Sequence, residues 1–210
     1  MTTATPRPAA SLILLRRGGR HRQRGVEVLL VRRSPESSFM PGVWVFPGGV
    51  VESDEAVPRG IEGEDSAADG VELAHRACAV RELREEAGIE LPSELELRPW
   101  SRWITPEAAP VRFDTRFYVA LAPAHSPPRP DGAETTEAAW ISPREALERH
   151  RSDEMPLVFP TIKHLESLLP YAEAQEVVEA ARNREIVPVV PRVVGKGDDR
   201  RVVLPGEPGY

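Results

Sequence analysis

The segment from Arg81 to Ile89 carries the residue types best suited to chemistry. It reads Arg-Glu-Leu-Arg-Glu-Glu-Ala-Gly-Ile, and the stretch from Val71 to Ala87 is rich in Ala, Leu, Glu and Arg without Pro or Gly, which predicts a helix. On a helix Glu82 lies three and four residues before Glu85 and Glu86, so the three carboxylates share one face. Their mutual repulsion would be offset by a hard divalent cation such as Mg²⁺ or Mn²⁺, which prefers carboxylate oxygen and water as ligands.

The rest of this predicted helix supports a rigid arrangement of the carboxylates. Its opposite side is apolar and is formed by Leu73, Ala77, Val80, Leu83 and Ala87. Arg81 and Arg84 can pair with the acids and orient them. A plain charged surface helix explains isolated Arg–Glu pairs, but it does not explain the nine-residue pattern, whose chance occurrence in a chain of this length is on the order of 10⁻⁴.

The net charge and the absence of one phosphate-binding motif exclude two classes of function. The 210 residues carry a net charge of −6, which argues against a nucleic-acid binder because no basic excess is available to meet phosphates. An acidic enzyme can still act on an anionic substrate if a metal ion supplies local positive charge. The chain has no Gly-rich loop ending in Lys-Ser/Thr, which excludes a P-loop enzyme.

Compartment is also indicated by composition. The single cysteine, Cys78, excludes an internal disulfide and fits a reducing cytoplasm. No apolar run approaches the roughly 20 residues that a membrane span needs, and residues 1–10 do not have the pattern of a signal peptide. We therefore expect a cytoplasmic protein with no membrane contact.

Periodicity along the chain predicts six strands and three further helices. The predicted strands are Ser11 to Leu15, Val26 to Val31, Trp44 to Phe46, Leu95 to Trp103, Pro110 to Leu121 and Glu137 to Ile141; the helices are Pro143 to His150, Thr161 to Leu169 and Ala172 to Asn183. The first two strands predict a hairpin with an arginine-rich tip at 16–24. This order predicts an α/β fold, with a mixed sheet covered by helices on both faces. Residues 1–183 then form the domain, and 184–210 form an extended tail packed on it.

The helix pattern and an upstream glycine turn together resemble the Nudix hydrolase family. The family signature is Gly, five residues, Glu, seven residues, then Arg-Glu-apolar-any-Glu-Glu-any-Gly-apolar. Residues 81–89 match its second half, Phe46 to Gly49 match its usual entry, and Glu55 follows Gly49 at the expected distance. The departure is the spacer before Arg81, which is residues 56–80 instead of seven residues. The first Glu of the signature is therefore Glu55, Glu72 or absent.

The resemblance covers roughly residues 9–150 and implies both a fold and a set of roles. It implies an α/β/α sandwich that hydrolyses a nucleoside diphosphate linked to another moiety. Glu85 and Glu86 would bind the metal together with the Gly49 carbonyl, Glu82 would be a ligand or the base that activates water, and Arg81 would orient a glutamate. A further carboxylate from a loop before a tryptophan-containing strand is assigned to Glu134, although a solvated acid is an equally good interpretation of that residue.

A second motif resembles the coenzyme A branch of the family. Residues 29–34, Gly42 and the glycine turn stand at the spacing of that motif, with departures at Val31 and Ser38. Residues 39–42, 112–117 and the long insertion are similar to acyl-coenzyme A diphosphatases. The resemblance thus implies substrate contacts by Arg112 and Arg116.

Charge near this motif suggests how such a substrate would be distinguished. Arg32, Arg33 and the tip at 16–24 offer positive charge for the additional 3′-phosphate of coenzyme A, because Arg can bind two phosphate oxygens at once.

Alternatives stay open at this point. The same chemistry could act on ADP-ribose, a nucleotide sugar or another nucleotide, and a Nudix-fold sensor would bind a nucleotide without cutting it. Retention of Glu82, Glu85 and Glu86 counts against the sensor. Many members of the family form homodimers, but the sequence shows no interface signature.

The acidic insertion at about 56–70 offers little apolar surface to bury, so we predict that it is dispensable for folding. Shortening this insertion to seven residues should leave a folded protein with a Tm within a few degrees of the wild type. Circular dichroism and thermal melts measure this, and an unfolded or insoluble product would show that the insertion packs as a structural element.

Overall fold

The computed structural model describes residues 4–18, 25–53, 70–93, 95–195 and 200–210. Ten strands and four helices lie in these ranges. The strands are β1 Arg7–Arg17, β2 Val26–Arg33, β3 Trp44–Val45, β4 Gly48–Val50, β5 Arg98–Ile104, β6 Phe113–Leu121, β7 Thr135–Ile141, β8 Pro188–Val189, β9 Arg192–Val194 and β10 Arg201–Val203. The helices are α1 Gly70–Ala87, α2 Pro143–Arg151, α3 Phe159–Leu168 and α4 Ala174–Arg182.

The main sheet has eight strands and is mixed, as predicted. Its order is β3-β2-β1-β6-β5-β8, with β4 added to β1 and β7 added to β2. β1 runs parallel to β6 and β5 parallel to β8, whereas β1–β2, β2–β7 and β5–β6 are antiparallel. The hairpin prediction for β1 and β2 is confirmed, and its tip at 19–24 lies outside the described residues.

The two strands of the hairpin separate along their length. β1 pairs with β2 at Leu15–Arg17 but with β4 at Ala9–Ser11. β2 in turn pairs with β3 through Val31 and Arg32. The segment that contains β3 and β4 therefore lies between the N-terminal half of β1 and the C-terminal half of β2. This opening in the sheet is where the cleft described below is found.

Helices cover both faces of the sheet, which confirms the predicted sandwich. Side chains alternate between faces along a strand, so Leu12 and Leu14 of β1 pack with Cys78 and Leu83 of α1. The other face is covered by the remaining helices. Its buried residues include Ile13, Leu15, Val28, Leu30, Ala146, Leu147, Leu165, Leu168 and Val177.

Helix α1 begins at Gly70 and ends at Ala87, within a residue of its prediction. Gly88 follows with φ of +63° and donates its N–H to the Arg84 carbonyl at 3.0 Å. This left-handed conformation suits glycine and ends the helix. The helix is buried over much of its circumference, because Glu82 and Glu86, like the apolar residues beside them, are less than one-tenth exposed.

The C-terminal segment is extended and lies against the domain. β8 adds to the edge of β5 through Pro188 and Val189, and the Arg184 guanidinium lies 4.0 Å from the centre of the Trp100 ring. β9 and β10 form a separate two-stranded sheet. In the described ranges no helix combines the length and apolarity that a bilayer crossing requires.

Candidate active site

A cleft of about 370 Å³ opens between β1, the β3–β4 segment and the ends of two helices. One wall is acidic and contains Glu82, Glu86 and Glu134. A second wall is apolar, with Phe39, Met40, Phe113 and Phe117. The start of α3 forms a third wall through Val158, Pro160 and Thr161. The cleft thus joins one charged wall to surfaces that carry no charge.

The acidic wall depends on two buried carboxylates one turn apart on α1. Glu82 is 8% exposed and Glu86 is 3% exposed. The backbone N–H of Gly48 donates a hydrogen bond of 2.9 Å to Oε2 of Glu86. Because a buried carboxylate needs donors to offset its lost hydration, this contact fixes the Glu86 side chain at the glycine turn.

Gly49 lets the backbone approach Glu82 closely. A Cβ atom at this position would overlap the carboxylate of Glu82, so any larger residue must displace one of the two. The Sγ of Cys78 lies 3.6 Å from the Gly49 carbonyl oxygen. The turn therefore brings a backbone carbonyl oxygen into the same region as the carboxylates.

Arg81 connects this cluster to strand β4. Its Nη1 donates to Oε1 of Glu82 at 2.9 Å and to Oε2 of Glu85 at 3.0 Å, and its Nη2 donates to the Val50 carbonyl at 3.1 Å. The Glu85 side chain is about half exposed and also pairs with Arg84 at 3.6 Å. The expectation that all three carboxylates share one face needs correction: Glu82 and Glu86 face the cleft, whereas Glu85 lies at its outer edge.

Burial changes the protonation of the two inner glutamates. Loss of hydration raises the pKa of Glu86 to about 8, and the neighbouring Glu82 charge adds to this rise, while the Gly48 N–H and the Arg33 charge oppose it. Desolvation also raises the pKa of Glu82, against the lowering effect of Arg81. A pair of acids held in this way takes up either protons or a cation near neutral pH.

Glu134 reaches the same wall from the loop before β7. Its charge contributes to the raised pKa of both Glu82 and Glu86. Asp131 holds the loop by accepting hydrogen bonds from the N–H groups of Ala133, Glu134 and Thr135. The Thr135 hydroxyl then donates to the Glu86 carbonyl at 2.6 Å. The loop is therefore tied to the helix that carries the two buried carboxylates.

Only one of the four arginines that were predicted to bind substrate lines the cleft. Arg33 does so, and its guanidinium is held by the Ser37 hydroxyl and the Phe39 carbonyl, at 2.8 and 3.1 Å. Arg32 does not line the cleft, and it donates to the Gly42 carbonyl and to Glu137. Because its guanidinium is held by these contacts outside the cleft, Arg32 is not assigned to the substrate.

Arg112 and Arg116 also lie away from the cleft. Phe113 and Phe117 of β6 line it, and Arg116 faces the other side of that strand, where it pairs with Glu72. Arg112 is buried and donates to the carbonyls of Thr105 and Ala4. The expectation of substrate contact by these two arginines is therefore corrected, because their guanidinium groups serve the fold.

These contacts also bear on the first Glu of the signature pattern. Glu72 is paired with Arg76 and Arg116 and does not line the cleft. Glu55, the other candidate, lies outside the described residues.

The family to which this chain belongs follows from a direct comparison. The profile of the NUDIX domain matches residues 5–62 and 66–160. The chain belongs to the Nudix family. The match covers every residue of the cleft except Thr161.

Curated Nudix relatives are similar over most of this chain. The acyl-coenzyme A diphosphatase NUDT19 of Xenopus laevis is 26% identical over 76% of the chain, and the chain spans 64% of that relative's length. The enzyme of the same name from Homo sapiens is 25% identical over 89% of the chain and is spanned to 72%. A putative nudix hydrolase 7 of Caenorhabditis elegans is 28% identical over 79% of the chain and is spanned to 61%. The chain is thus similar to relatives that are named as diphosphatases or hydrolases, and it spans between 61% and 72% of their length.

Solved structures give the same fold. A NUDIX hydrolase from Alicyclobacillus acidocaldarius is 28% identical and aligns with a TM-score of 0.71 over 85% of this chain and 97% of that one. The NUDIX domain of Shewanella oneidensis NrtR, solved with ADP ribose, aligns with a TM-score of 0.54 at 18% identity over 80% of this chain and 88% of that domain. The second comparison supports the fold alone.

Nudix hydrolases generally use a divalent metal ion such as Mg²⁺ or Mn²⁺, and the donor set in the cleft fits one. Within the described ranges, no three His, Cys, Asp or Glu side chains form a ligand group by themselves. Glu82, Glu86 and the Gly49 carbonyl nevertheless supply hard oxygen donors around one turn. Mg²⁺ commonly takes one or two carboxylates and keeps several waters, so two side chains and a carbonyl are sufficient.

Two supporting features of the site were missed at the sequence level. Gly48 acts as a donor to Glu86, whereas the glycine turn was interpreted only as a turn and not as part of strand β4. Asp131 organises the loop that carries Glu134. The sequence Asp131-Gly132 could have predicted this, because the side chain of an Asp in a turn often accepts hydrogen bonds from backbone N–H groups that follow it.

The buried state of Glu86 predicts a pH-dependent loss of stability in metal-free protein. The pKa of Glu86 is raised from 4.5 to about 8 on folding. The contribution of this residue to the free energy of unfolding is therefore fully present below pH 4.5, where the carboxyl is protonated, and is lost as the pH rises to 8. Glu86→Gln stays neutral at every pH. In chelator its Tm should exceed that of the wild type by roughly 10 °C at pH 8 and by no more than about 2 °C near pH 5.

Glu90→Gln is the control, because that side chain is exposed and lies just beyond α1. Its Tm should follow that of the wild type at both pH values. A Glu86→Gln difference that is the same at pH 5 and pH 8 would contradict the assignment of the raised pKa.

Proposed function

We propose that this chain is a divalent-metal-dependent diphosphatase that cleaves the P–O–P bond of coenzyme A or acyl-coenzyme A. The observation that carries the proposal is the buried pair Glu82 and Glu86, held against the Gly48–Gly49 turn in the wall of a cleft. The proposal also rests on the similarity to relatives named as acyl-coenzyme A diphosphatases.

The residues of the acidic wall have distinct roles in this proposal. Glu82, Glu86 and the Gly49 carbonyl would hold the cation, and Glu85 would join them by turning away from Arg81. A bound divalent cation shields the negative oxygens of the diphosphate and lowers the pKa of a coordinated water. Arg81 orients Glu82 and favours its ionised form, and the Gly48 N–H does the same for Glu86, although burial still raises the pKa of both.

Glu134 is our candidate for the base that removes a proton from the attacking water. It is exposed, lines the cleft and is close enough to influence both buried glutamates. The Asp131 turn restricts its position. Thr135, the next residue, anchors the loop to α1. This anchoring favours a role for Glu134 as the base over the interpretation of Glu134 as a solvated surface acid.

Arg33 would meet the diphosphate itself. It lines the cleft, and its charge acts on Glu86, so it lies on the side of the proposed cation. Its guanidinium is already oriented by Ser37 and Phe39, which reduces the entropy that binding would cost. This position suits the charge that develops on phosphate oxygens during cleavage.

The apolar wall favours coenzyme A over smaller diphosphates. Phe39 and Met40 are 40% and 46% exposed at the cleft, and the Phe39 ring contacts Phe113 edge to face with 5.5 Å between ring centres. The thiol-bearing arm of coenzyme A is long and largely uncharged, and an acyl chain extends it with apolar surface. Burial of such an arm against aromatic side chains is favourable.

Hydrolysis of ADP-ribose, a nucleotide sugar or another nucleotide is the second candidate, since the acidic wall would act on any diphosphate. A sensor that only binds a nucleotide is less well supported, because the glutamates needed for cleavage are all present. The cytoplasmic location and a homodimer stay predictions from the sequence.

The metal assignment predicts the effect of removing single carboxylates. Glu85→Gln and Glu86→Gln should each lower kcat by about 10² or more with the fold intact, because each removes a ligand charge. Chelator should abolish turnover of the wild type, and Mg²⁺ or Mn²⁺ should restore it. Steady-state kinetics and thermal melts measure both effects.

Glu90→Gln is the control, since Glu90 is exposed and lies just beyond α1. Glu134→Gln should lower kcat clearly while leaving KM nearly unchanged if Glu134 is the base. Wild-type kcat in the Glu86 variant, or turnover in metal-free buffer, would show that the mechanism is wrong.

The substrate assignment predicts a ranking. With one metal ion, kcat/KM should be higher for coenzyme A or a short acyl-coenzyme A than for ADP-ribose or a nucleotide sugar. Arg33→Gln should lower kcat/KM about tenfold for all of these substrates, because it faces the shared diphosphate. Arg32→Gln, in the neighbouring residue outside the cleft, should change none of them more than about twofold. A clear preference for ADP-ribose or a nucleotide sugar would defeat the coenzyme A assignment.

A further inference from the structure

The wall of the cleft formed by α3 begins a helix whose first turn has no side-chain cap. Val158 precedes the helix in an extended conformation and makes no side-chain capping bond. Val158, Pro160 and Thr161 all line the cleft. The first turn of a helix carries N–H groups without intrahelical partners and a partial positive charge. Pro160 has no N–H, so the donors of this first turn are the N–H groups of Phe159 and Thr161, with no cationic side chain among the three residues.

Thr161 adds a second donor at the same place. It is the third residue of α3 and is 3% exposed, yet it lines the cleft. Among the described residues the Thr161 hydroxyl makes no hydrogen bond, and Tyr118 carries the only fully buried side-chain polar atom without a partner. The Thr161 hydroxyl oxygen therefore keeps some access to the cleft, where a ligand can supply the partner that such a group normally has. A ligand with an oxygen acceptor would therefore satisfy both Thr161 and the start of the helix.

His164 fixes the position of the first turn of α3. One ring nitrogen lies 2.6 Å from the Pro160 carbonyl and the other lies 2.6 Å from the Ser101 hydroxyl on β5. The ring also packs against Phe46, Trp103 and Phe117. Burial lowers the pKa of His164 to about 4, so the ring is neutral at physiological pH and adds no charge to the wall.

The location of the turn separates it from the acidic wall. Glu82 and Glu86 belong to α1, which packs on one face of the sheet, whereas α3 packs on the other. The cleft reaches both through the opening between β1 and β2. A substrate whose diphosphate lies at the carboxylates could thus reach the start of α3 with another part of the same molecule.

We infer that the first turn of α3, with the Thr161 hydroxyl, is a second anion subsite that binds a phosphate group other than the scissile pair. This inference rests on the proposed function and deepens it, because coenzyme A carries such a group as its 3′-phosphate and ADP-ribose does not. Helix N-termini bind phosphate through N–H groups and the helix dipole. The subsite takes over the role first expected of Arg32 and the arginine-rich tip.

Binding to metal-free protein tests the subsite apart from catalysis. In excess chelator, titration calorimetry with adenosine 3′,5′-bisphosphate, 5′-AMP and inorganic phosphate should show the tightest binding for the bisphosphate. Thr161→Val removes the hydroxyl at constant shape and should weaken bisphosphate binding about three- to tenfold. Thr161→Ser keeps the hydroxyl and should stay within twofold of the wild type.

A charge variant tests the helix dipole. Thr161→Asp places a carboxylate in the first turn, which helix N-termini tolerate well, and should weaken the bisphosphate more than tenfold by repulsion. With Mg²⁺, the Thr161→Val and Thr161→Asp variants should have a higher KM for coenzyme A than the wild type. Their kcat, and their KM for dephospho-coenzyme A, should stay within twofold of the wild-type values. Equal weakening of 5′-AMP and the bisphosphate would instead assign the subsite to the 5′-side phosphate and overturn the 3′-phosphate assignment.

The outcomes also separate this inference from the proposed function. If the Val and Asp variants fold, as thermal melts report, and bind the bisphosphate within twofold of the wild type, the subsite is wrong even where Glu86→Gln abolishes hydrolysis. If Thr161 controls phosphate binding but the wild type cleaves no diphosphate with Mg²⁺ or Mn²⁺, the proposed function fails and the subsite stands. Should the Val variant unfold, the Ser and Asp variants decide the question.

Discussion

The burial of two carboxylates against a glycine turn is the constraint on which the rest of the molecule depends. Glu82 and Glu86 are both less than one-tenth exposed, and two like charges one helical turn apart destabilise a protein unless something compensates. The Gly48 N–H and the Arg81 guanidinium offset part of this cost. The remaining cost is expressed as a raised pKa in both residues, and a cation bound between them would reduce it.

The sheet is built to hold the glycine turn at that position. β1 pairs with β4 through Ala9–Ser11, and the Ser11 hydroxyl donates to the Pro47 carbonyl at 2.9 Å. A Cβ at Gly48 would collide with the backbone of β1, so the turn is pressed against the strand on one side and against α1 on the other. The same pairing diverts β1 from β2 and so creates the opening that becomes the cleft. One local contact thus determines both the position of the two carboxylates and the access to them.

What could be predicted from the sequence is what depends on local spacing. The i, i+4 relation of Glu82 and Glu86 and the C-terminal Gly88 are properties of the helix itself, and α1 was predicted within one residue. The environment of Glu85 depends on Arg81 reaching Val50, which is remote in sequence. The sequence also did not indicate which residues of β6 face the cleft. Phe113, Arg116 and Phe117 belong to a strand in the middle of a sheet that is covered by helices on both sides, where the hydrophobic pattern does not distinguish the two faces.

The same distinction explains how the family signature can accommodate extra residues before α1. The carboxylates are placed by three contacts that do not involve residues 56–69: α1 packing on β1, the Gly48 bond to Glu86, and the Arg81 bond to Val50. The residues on either side of this insertion are fixed independently, since the Val51 N–H donates to the Pro8 carbonyl and α1 begins at Gly70. The free energy needed to close a loop rises only by about 0.6 kcal/mol for each doubling of its length. A longer spacer therefore costs little stability and leaves the two glutamates where they are.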